Sequence, residues 1–343
     1  MSKITDSSII NEIKQILFSA RENVAKAVNN ELLTAYWNIG RIIVESEQNG
    51  DVKAQYGKQL LKRLSKELTA ELGKGFSVSN LQYMRRFFLS YQKQQTLSVK
   101  LSWSHYCEIL NVSDKNAREF YEKETINSNW SVRELKRQID TSLFERLLLS
   151  EGNTNKEKVL ALAKEGISYS KPGDILKDPY VFEFLGIPQN KPMLEKDLEK
   201  ALITKIENFL LELGRGFMFV GSQQRITLGN VHYYVDMVFY NKILKAYVLI
   251  DLKMGSLKPE NIGQMNMYLN YYANEVNDEG DGKPIGIILC ADASEIVAEY
   301  ALGGLENQIF ASKYVYYIPD KDELIRQVQD VIEESRRLKG GEV

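Results

Sequence analysis

The sequence predicts a helical first half followed by an α/β second half, and three observations carry that expectation. Apolar positions repeat at three-to-four spacing from Ser7 to about Leu149; after Leu194, runs rich in Val, Ile, Tyr and Phe alternate with helical stretches; and four of the seven prolines, Pro172, Pro179, Pro188 and Pro192, lie between. Residues three and four apart share a helix face, whereas β-branched and aromatic runs favour strands. A chain of 343 residues is long enough for two cores, and the proline-rich stretch marks their junction. The expected division is a helical domain over 1–149, a linker over 150–193 and a second domain over 194–343.

In the first half, Leu32, Leu33, Tyr36, Ile39 and Ile43 form one helical stripe, and Leu61, Leu64, Leu68 and Leu72 form another. The segment Gly73 to Asn80 (GKGFSVSN) supplies glycines to stop one helix and serines to cap the next, which reads as helix, turn, helix. Three further helices follow: one over Trp103 to Leu110, one opened by Asp114, and one opened by Ser131 with Glu134 as its capping-box partner. The pattern allows a winged-helix-like module. Between Lys58 and Lys100, nine Lys and Arg residues face only Glu67 and Glu71, a local excess of seven positive charges. Arg85 and Arg86, beside Asn80 and Gln82, suit groove and phosphate contacts with nucleic acid, against the ordinary alternative of a solvated face. Trp37, Trp103, Trp130, Tyr36 and Phe120 read as packing residues, and His105 as a structural histidine near them.

In the second half, a helix over Glu195 to Leu213 precedes strands over Phe217 to Leu228, His232 to Tyr240, Leu244 to Lys253, Pro284 to Ala291 and Gln308 to Ile318. Helices over Lys258 to Tyr272, Ala293 to Leu302 and Asp322 to Leu338 separate or follow them. The composition narrows the chemistry. Two cysteines, Cys107 and Cys290, in apolar surroundings read as buried thiols, and only two histidines, His105 and His232, leave little for zinc or Ser-His-Asp catalysis. No secretory segment or membrane span is visible, so a cytoplasmic protein without membrane contact is expected. Chemistry then rests on carboxylates, lysine and a metal ion.

One constellation supplies these groups. Asp236 lies amid Val235, Met237 and Val238, while Asp251 and Lys253 end the run Val248, Leu249, Ile250. Burying an unpaired charge is costly, so acids in such settings need a reason. Residues two apart in a strand share a face, which aligns Asp251 with Lys253. A two-residue loop at Lys242-Ile243 pairs Asp236 with Leu249 and puts it on that same face, diagonal to Asp251. Two converging carboxylates repel unless a divalent cation lies between them, and hard oxygen ligands suit Mg²⁺ or Mn²⁺. The adjacent lysine then orients or helps deprotonate an attacking water and offsets charge developing on a phosphate. The spelling D/E-x-K recurs at Glu12, Asp51, Glu134 and Asp281, but only the copy at Asp251 combines strand geometry with an upstream aspartate. Gln223, Gln224 and Arg225, on the first long strand, are further candidates for phosphate contact, against the plain alternative of an exposed strand face.

Val235-Asp236, followed fifteen positions on by Asp251-Leu252-Lys253, resembles the PD-(D/E)XK nuclease superfamily. Gln264 and Tyr268 on the next helix resemble its Q-x-x-x-Y element, and at i and i+4 they share a face suited to a phosphate backbone. More narrowly, the chain resembles the YhcG-type nucleases through LSWSHYCEIL from Leu101, EFYEKE from Glu119, WSVRELKRQID from Trp130, KDPYVFEFLG from Lys177 and VHYYVDMVFYNK from Val231. Val235 stands where the motif name has proline. The resemblance implies a restriction-endonuclease-like mixed sheet, a metal held by Asp236, Asp251 and the Leu252 carbonyl, and Glu207 as the helical acid supporting it. It implies hydrolysis of nucleic acid, DNA foremost. The rival is a non-catalytic DNA-binding or scaffold protein accessory to a restriction or mobile-element system. Self-association through the helical domain stays open.

Overall fold

The computed structural model describes residues 6–48, 54–92, 98, 100–150, 156–188, 194–292 and 308–340. The chain forms two compact units, Met1–Arg118 with Thr125–Leu135, and Glu119–Glu124 with Lys136–Val343. In the first unit lie α1 (Asp6–Gln48), α2 (Ala54–Leu72), α3 (Val78–Ser90) and α4 (Trp103–Ile109). Helices α5 (Lys115–Ser128) and α6 (Val132–Asp140) have residues in both units. The caps are those the sequence places: Asp114 accepts from the Ala117 N–H at 2.7 Å, and Ser131 and Glu134 exchange backbone and side-chain hydrogen bonds. The described residues of this unit contain no strand, so its helix-turn-helix carries no wing there.

The core of this unit joins Ile43, Leu61, Leu81 and Met84, with Tyr36 and Trp103 against them. Gly40 is what lets α1 approach α3, because a Cβ there would sit 2.0 Å from the Met84 carbonyl oxygen. Backbone cannot give way as a flexible side chain does. Gly40→Ala should therefore destabilise the helical unit by about 1–3 kcal/mol, the usual cost of overpacking, read as a lowered melting temperature.

The second unit adds α7 (Leu143–Ser150), α8 (Lys156–Glu165), β1 (Tyr180–Val181), α9 (Glu195–Thr204), α10 (Ile206–Leu213), β2 (Phe217–Leu228), β3 (Val231–Asn241), β4 (Ala246–Ser256), α11 (Pro259–Tyr271), β5 (Ile285–Asp292), β6 (Gln308–Val315) and α12 (Lys321–Gly340). Its mixed six-stranded sheet has the order β1-β6-β5-β4-β3-β2, with β1, β6, β5 and β4 parallel and β3 and β2 antiparallel. One face packs on α9 and α10 through Leu198, Leu202, Phe209, Met237, Ile250 and Leu252. The other packs on α11 through Leu249, Met265, Tyr268, Leu269 and Ile288. Both faces are covered, which is why β4 and β5 read as almost unbroken apolar runs.

Three features differ from the sequence reading. The stretch read as linker contains α8 and strand β1, whose two residues pair with Tyr314 and Val315 of β6; a two-residue strand is too short to leave a periodic pattern. The helix expected over Glu195 to Leu213 breaks at Lys205, which leaves helical geometry at φ −108° and ψ 34°. The helix expected over Ala293 to Leu302 lies outside the described residues.

A buried ion network ties this unit together. Arg146 and Glu212 are both fully buried and paired, Glu212 also accepts from Arg137 at 3.2 Å and from the Val181 N–H at 3.1 Å, and Lys177 donates to the Glu212 backbone carbonyl. Burial opposes ionisation of Glu212, but Arg146, Lys177 and Arg137 outweigh it and hold the carboxyl down at about 2.

Candidate active site

Strands β3 and β4 are joined by four residues, Lys242 to Lys245, and not by two. The Asn241 side-chain oxygen accepts from the Ile243 and Leu244 N–H groups at 3.0 and 3.2 Å, and Lys245 takes a left-handed φ of 51°. This corrects the expected register: Met237 pairs with Ile250, so the next rung brings Asp236 level with Asp251 and not with Leu249. The loop length remains even, so both aspartates keep the same face.

At that rung the regular ladder gives way to side chains. The Asp236 Oδ2 accepts from the Leu252 N–H at 2.8 Å. Asp251 is only 2% exposed, and its Oδ2 lies 2.7 Å from the Lys253 Nζ. That contact is an ion pair without good hydrogen-bond angles, so Oδ2 is a buried oxygen lacking a well-formed hydrogen bond. Burial first, then the neighbouring Asp236, push the Asp251 carboxyl up to about 7 against the pull of Lys253. Burial works against the Lys253 ammonium, but Asp251, with Glu195 and Asp236 behind it, holds its pKa above the ordinary value. Glu195 of α9 is 3.5 Å from Lys253. Asp236 and Lys253 are half-buried, so the group opens toward the surface.

The acid that α9 and α10 bring to this group is Glu199. Gln223, directly across from Asp236 on β2 and at a left-handed φ of 48°, donates to Glu199 at 2.8 Å and to Asp236 at 3.2 Å. Burial, with Asp236 nearby, raises the Glu199 pKa although the Gln223 bond lowers it. Glu207, the expected helical acid, is exposed, and among the described residues no contact joins it to either aspartate. Glu207 lies on α10, past the break at Lys205, about 12 Å of helix rise from Glu199 by sequence. The signal that could have found Glu199 is its seat between Leu198 and Leu202 on the buried stripe of α9.

Of the other candidates, Tyr268 is fully buried and its hydroxyl donates to the Tyr234 carbonyl at 3.0 Å, while Gln264 donates to that hydroxyl at 2.6 Å. Burial raises the Tyr268 pKa, Gln264 opposes this, and Asp251 and Asp236 add to it. Gln224 folds back toward the Ser222 carbonyl at 3.4 Å, and Arg225 is exposed on β2. Arg85 and Arg86 are engaged inside the helical unit: Arg85 pairs with Glu47 at 2.7 Å, and Arg86 donates to the Leu110 carbonyl and lies over the Tyr83 ring at 5.6 Å. Both nevertheless remain accessible, Arg85 with 37% of its side chain exposed and Arg86 exposed. His105 closes a capping box with Ser102 and meets the Trp130 carbonyl at 3.1 Å, a structural role.

Two carboxylates and a main-chain carbonyl form a hard oxygen set, and the under-bonded Asp251 oxygen fits an ion. No group of three or more His, Cys, Asp or Glu side chains arranged to hold a metal occurs among the described residues. No helix of the described residues is long and apolar enough to cross a membrane.

Comparison with known proteins agrees with this geometry. Residues 173–329 match the family model described as YhcG PDDEXK nuclease domain, and residues 12–146 match the model described as DUF1016 N-terminal domain. The chain is 38% identical over 361 residues to the protein of Escherichia coli (strain K12) named "Putative nuclease YhcG", with 95% of each chain covered. A repair endonuclease from Pyrococcus abyssi aligns over 39% of this chain and 50% of its own at 15% identity, with a TM-score of 0.25, a likeness too slight to weigh. A helical N-terminal region, a mixed six-stranded sheet flanked by helices, and near full-length identity at this level lead to one conclusion: the chain belongs to the YhcG family, with a restriction-endonuclease-like PDDEXK nuclease domain as its second half.

Proposed function

We propose that the second unit hydrolyses phosphodiester bonds in nucleic acid, DNA foremost, with a divalent ion, Mg²⁺ or Mn²⁺, held by Asp236, Asp251 and the Leu252 carbonyl. The observation that carries this reading is Asp251, buried at 2% exposure beside a second aspartate and 2.7 Å from a lysine. A carboxylate so placed is held at a cost in the metal-free protein, and a cation relieves it. When bound, the ion supplies Lewis-acid polarisation of the phosphate and a more acidic water.

The remaining work falls to the chain's own groups. Lys253, kept protonated by Asp251, orients the attacking water and offsets charge developing on the phosphate. Glu199, through Gln223, takes the supporting place first expected for Glu207. Tyr268 fixes the strand bearing Asp236 through the Tyr234 carbonyl, and Gln264, anchored on that hydroxyl, faces the substrate backbone. Arg225, and Gln224 beside it, lie on β2 where a phosphate chain leaving Asp236 would pass.

The test is incubation of the full chain with single-stranded, duplex and branched DNA and with RNA, in Mg²⁺, in Mn²⁺ and in EDTA. Cutting in either metal that stops in EDTA is the expected result. Binding without cutting on every substrate would overturn it in favour of a DNA-binding scaffold.

A further inference from the structure

Helix α1 carries an apolar surface that its own unit does not use. Ile10, Ile13, Ile16, Leu17, Val24 and Val28 are each more than half exposed, at 51–63%. At about 100° per residue these positions, with Ala20 and Ala27 between them, fall in one stripe about 120° wide. Leu33, Gly40, Ile43 and Val44, which α1 buries in its unit, centre on the opposite side of the same helix. Every position from residue 9 to 28 is exposed among the described residues, Phe18 on the other side included at 66%, so nothing in the unit covers the stripe. Contiguous exposed apolar surface along a helix marks an interface.

We propose that residues 9–28 of α1 pair with the same segment of a second copy of this chain, as an antiparallel two-helix seam. Two features favour self-pairing. Large side chains occupy the first half of the stripe and small ones the second, so a two-fold antiparallel arrangement sets Ile10 against Ala27, Ile13 against Val24 and Leu17 against Ala20, large facing small along its length. Between residues 9 and 32, Glu12, Glu22 and Glu31 balance Lys14, Arg21 and Lys26, so neither a nucleic acid nor an anionic membrane is favoured as occupant. The seam runs about 28 Å.

Sedimentation equilibrium of the full chain at micromolar concentration tests this. The expected mass is twice 39.4 kDa for the wild type and for the control Gln15→Glu/Ser19→Glu, which adds the same charge on the other face; Ile13→Glu/Leu17→Glu should sediment at 39.4 kDa. Near-UV circular dichroism of the tryptophans should remain unchanged in both variants, showing that the helical unit is folded. A monomeric wild type, a stripe variant that stays dimeric, or a control that dissociates overturns the proposal. If the stripe variant misfolds, Ile10→Cys/Ala27→Cys decides: an intermolecular disulfide on mild oxidation supports the antiparallel seam, and none overturns it.

Discussion

Asp251→Asn should abolish metal-dependent cleavage while raising the melting temperature of the metal-free protein. Loss of one preorganised charged group at a reacting centre typically costs about 10²–10³-fold in rate, and a group that also holds the ion sits at or above that range. The stability change has the opposite sign because Asp251 is buried beside Asp236 and its carboxyl is pushed up from 3.8 to about 7. A raised carboxyl pKa means that the folded state binds the proton more tightly than the unfolded state. The cost of the ionised group is fully present above about pH 7 and is relieved as pH falls toward 4. Asparagine lacks that cost. In EDTA the variant should therefore melt higher than the wild type by a few degrees, about 2–4 °C for each kcal/mol in a domain of this size, with a gap that widens from pH 4 to 7 and then levels. Adding Mg²⁺ should reverse the order, because only the wild type gains binding energy from the ion. Calorimetry across pH, with and without metal, checks both signs. A variant less stable than wild type in EDTA at pH 8 would show that Asp251 is a structural ion pair with Lys253.

Glu212→Ala should destabilise the second unit by about 3–5 kcal/mol, the largest single loss expected outside the site. Its carboxylate is fully buried and meets Arg146, Arg137 and the Val181 N–H, so removing it strands a fully buried guanidinium. Among the described residues Arg146 keeps the Thr141 and Pro179 carbonyls and the Thr141 hydroxyl, neutral partners for a charge. Urea denaturation should show the lowered midpoint. The double variant Arg146→Met/Glu212→Leu should regain much of the loss, because removing both charges also removes their desolvation. The carboxyl is held at about 2, so its stabilisation is complete above about pH 4.5 and is lost as pH falls toward 2. Wild type and Glu212→Ala should therefore converge in stability in strong acid.

Much of this protein was legible before any coordinates. The strand Phe217–Leu228 has the expected bounds, β3 to β6 and α11 lie within three residues of theirs, and the caps at Asp114 and Ser131 are as the sequence places them. Such features depend on neighbours one to four residues away, so propensity and periodicity report them. The shared face of Asp236 and Asp251 also survived a wrong loop length, because strand faces alternate and only an odd change would have parted them.

Apolar periodicity alone left the covered face of α1 undecided. Helix α1 alternates one stripe toward its unit with another on the opposite side, and periodicity reports amphipathicity without saying which face is covered.

What the sequence determined alone is the bounds of the long strands and of α11, and two aspartates with a lysine on one side of a hairpin. Tertiary structure decided which helical acid stands beside them, Glu199 and not Glu207, and where Arg85, Arg86 and Glu212 find their partners. The physical reason is range. Face and cap preferences arise within one turn or one pleat, whereas the partner of a charge is chosen by desolvation across the fold, between residues as far apart as Arg146 and Glu212.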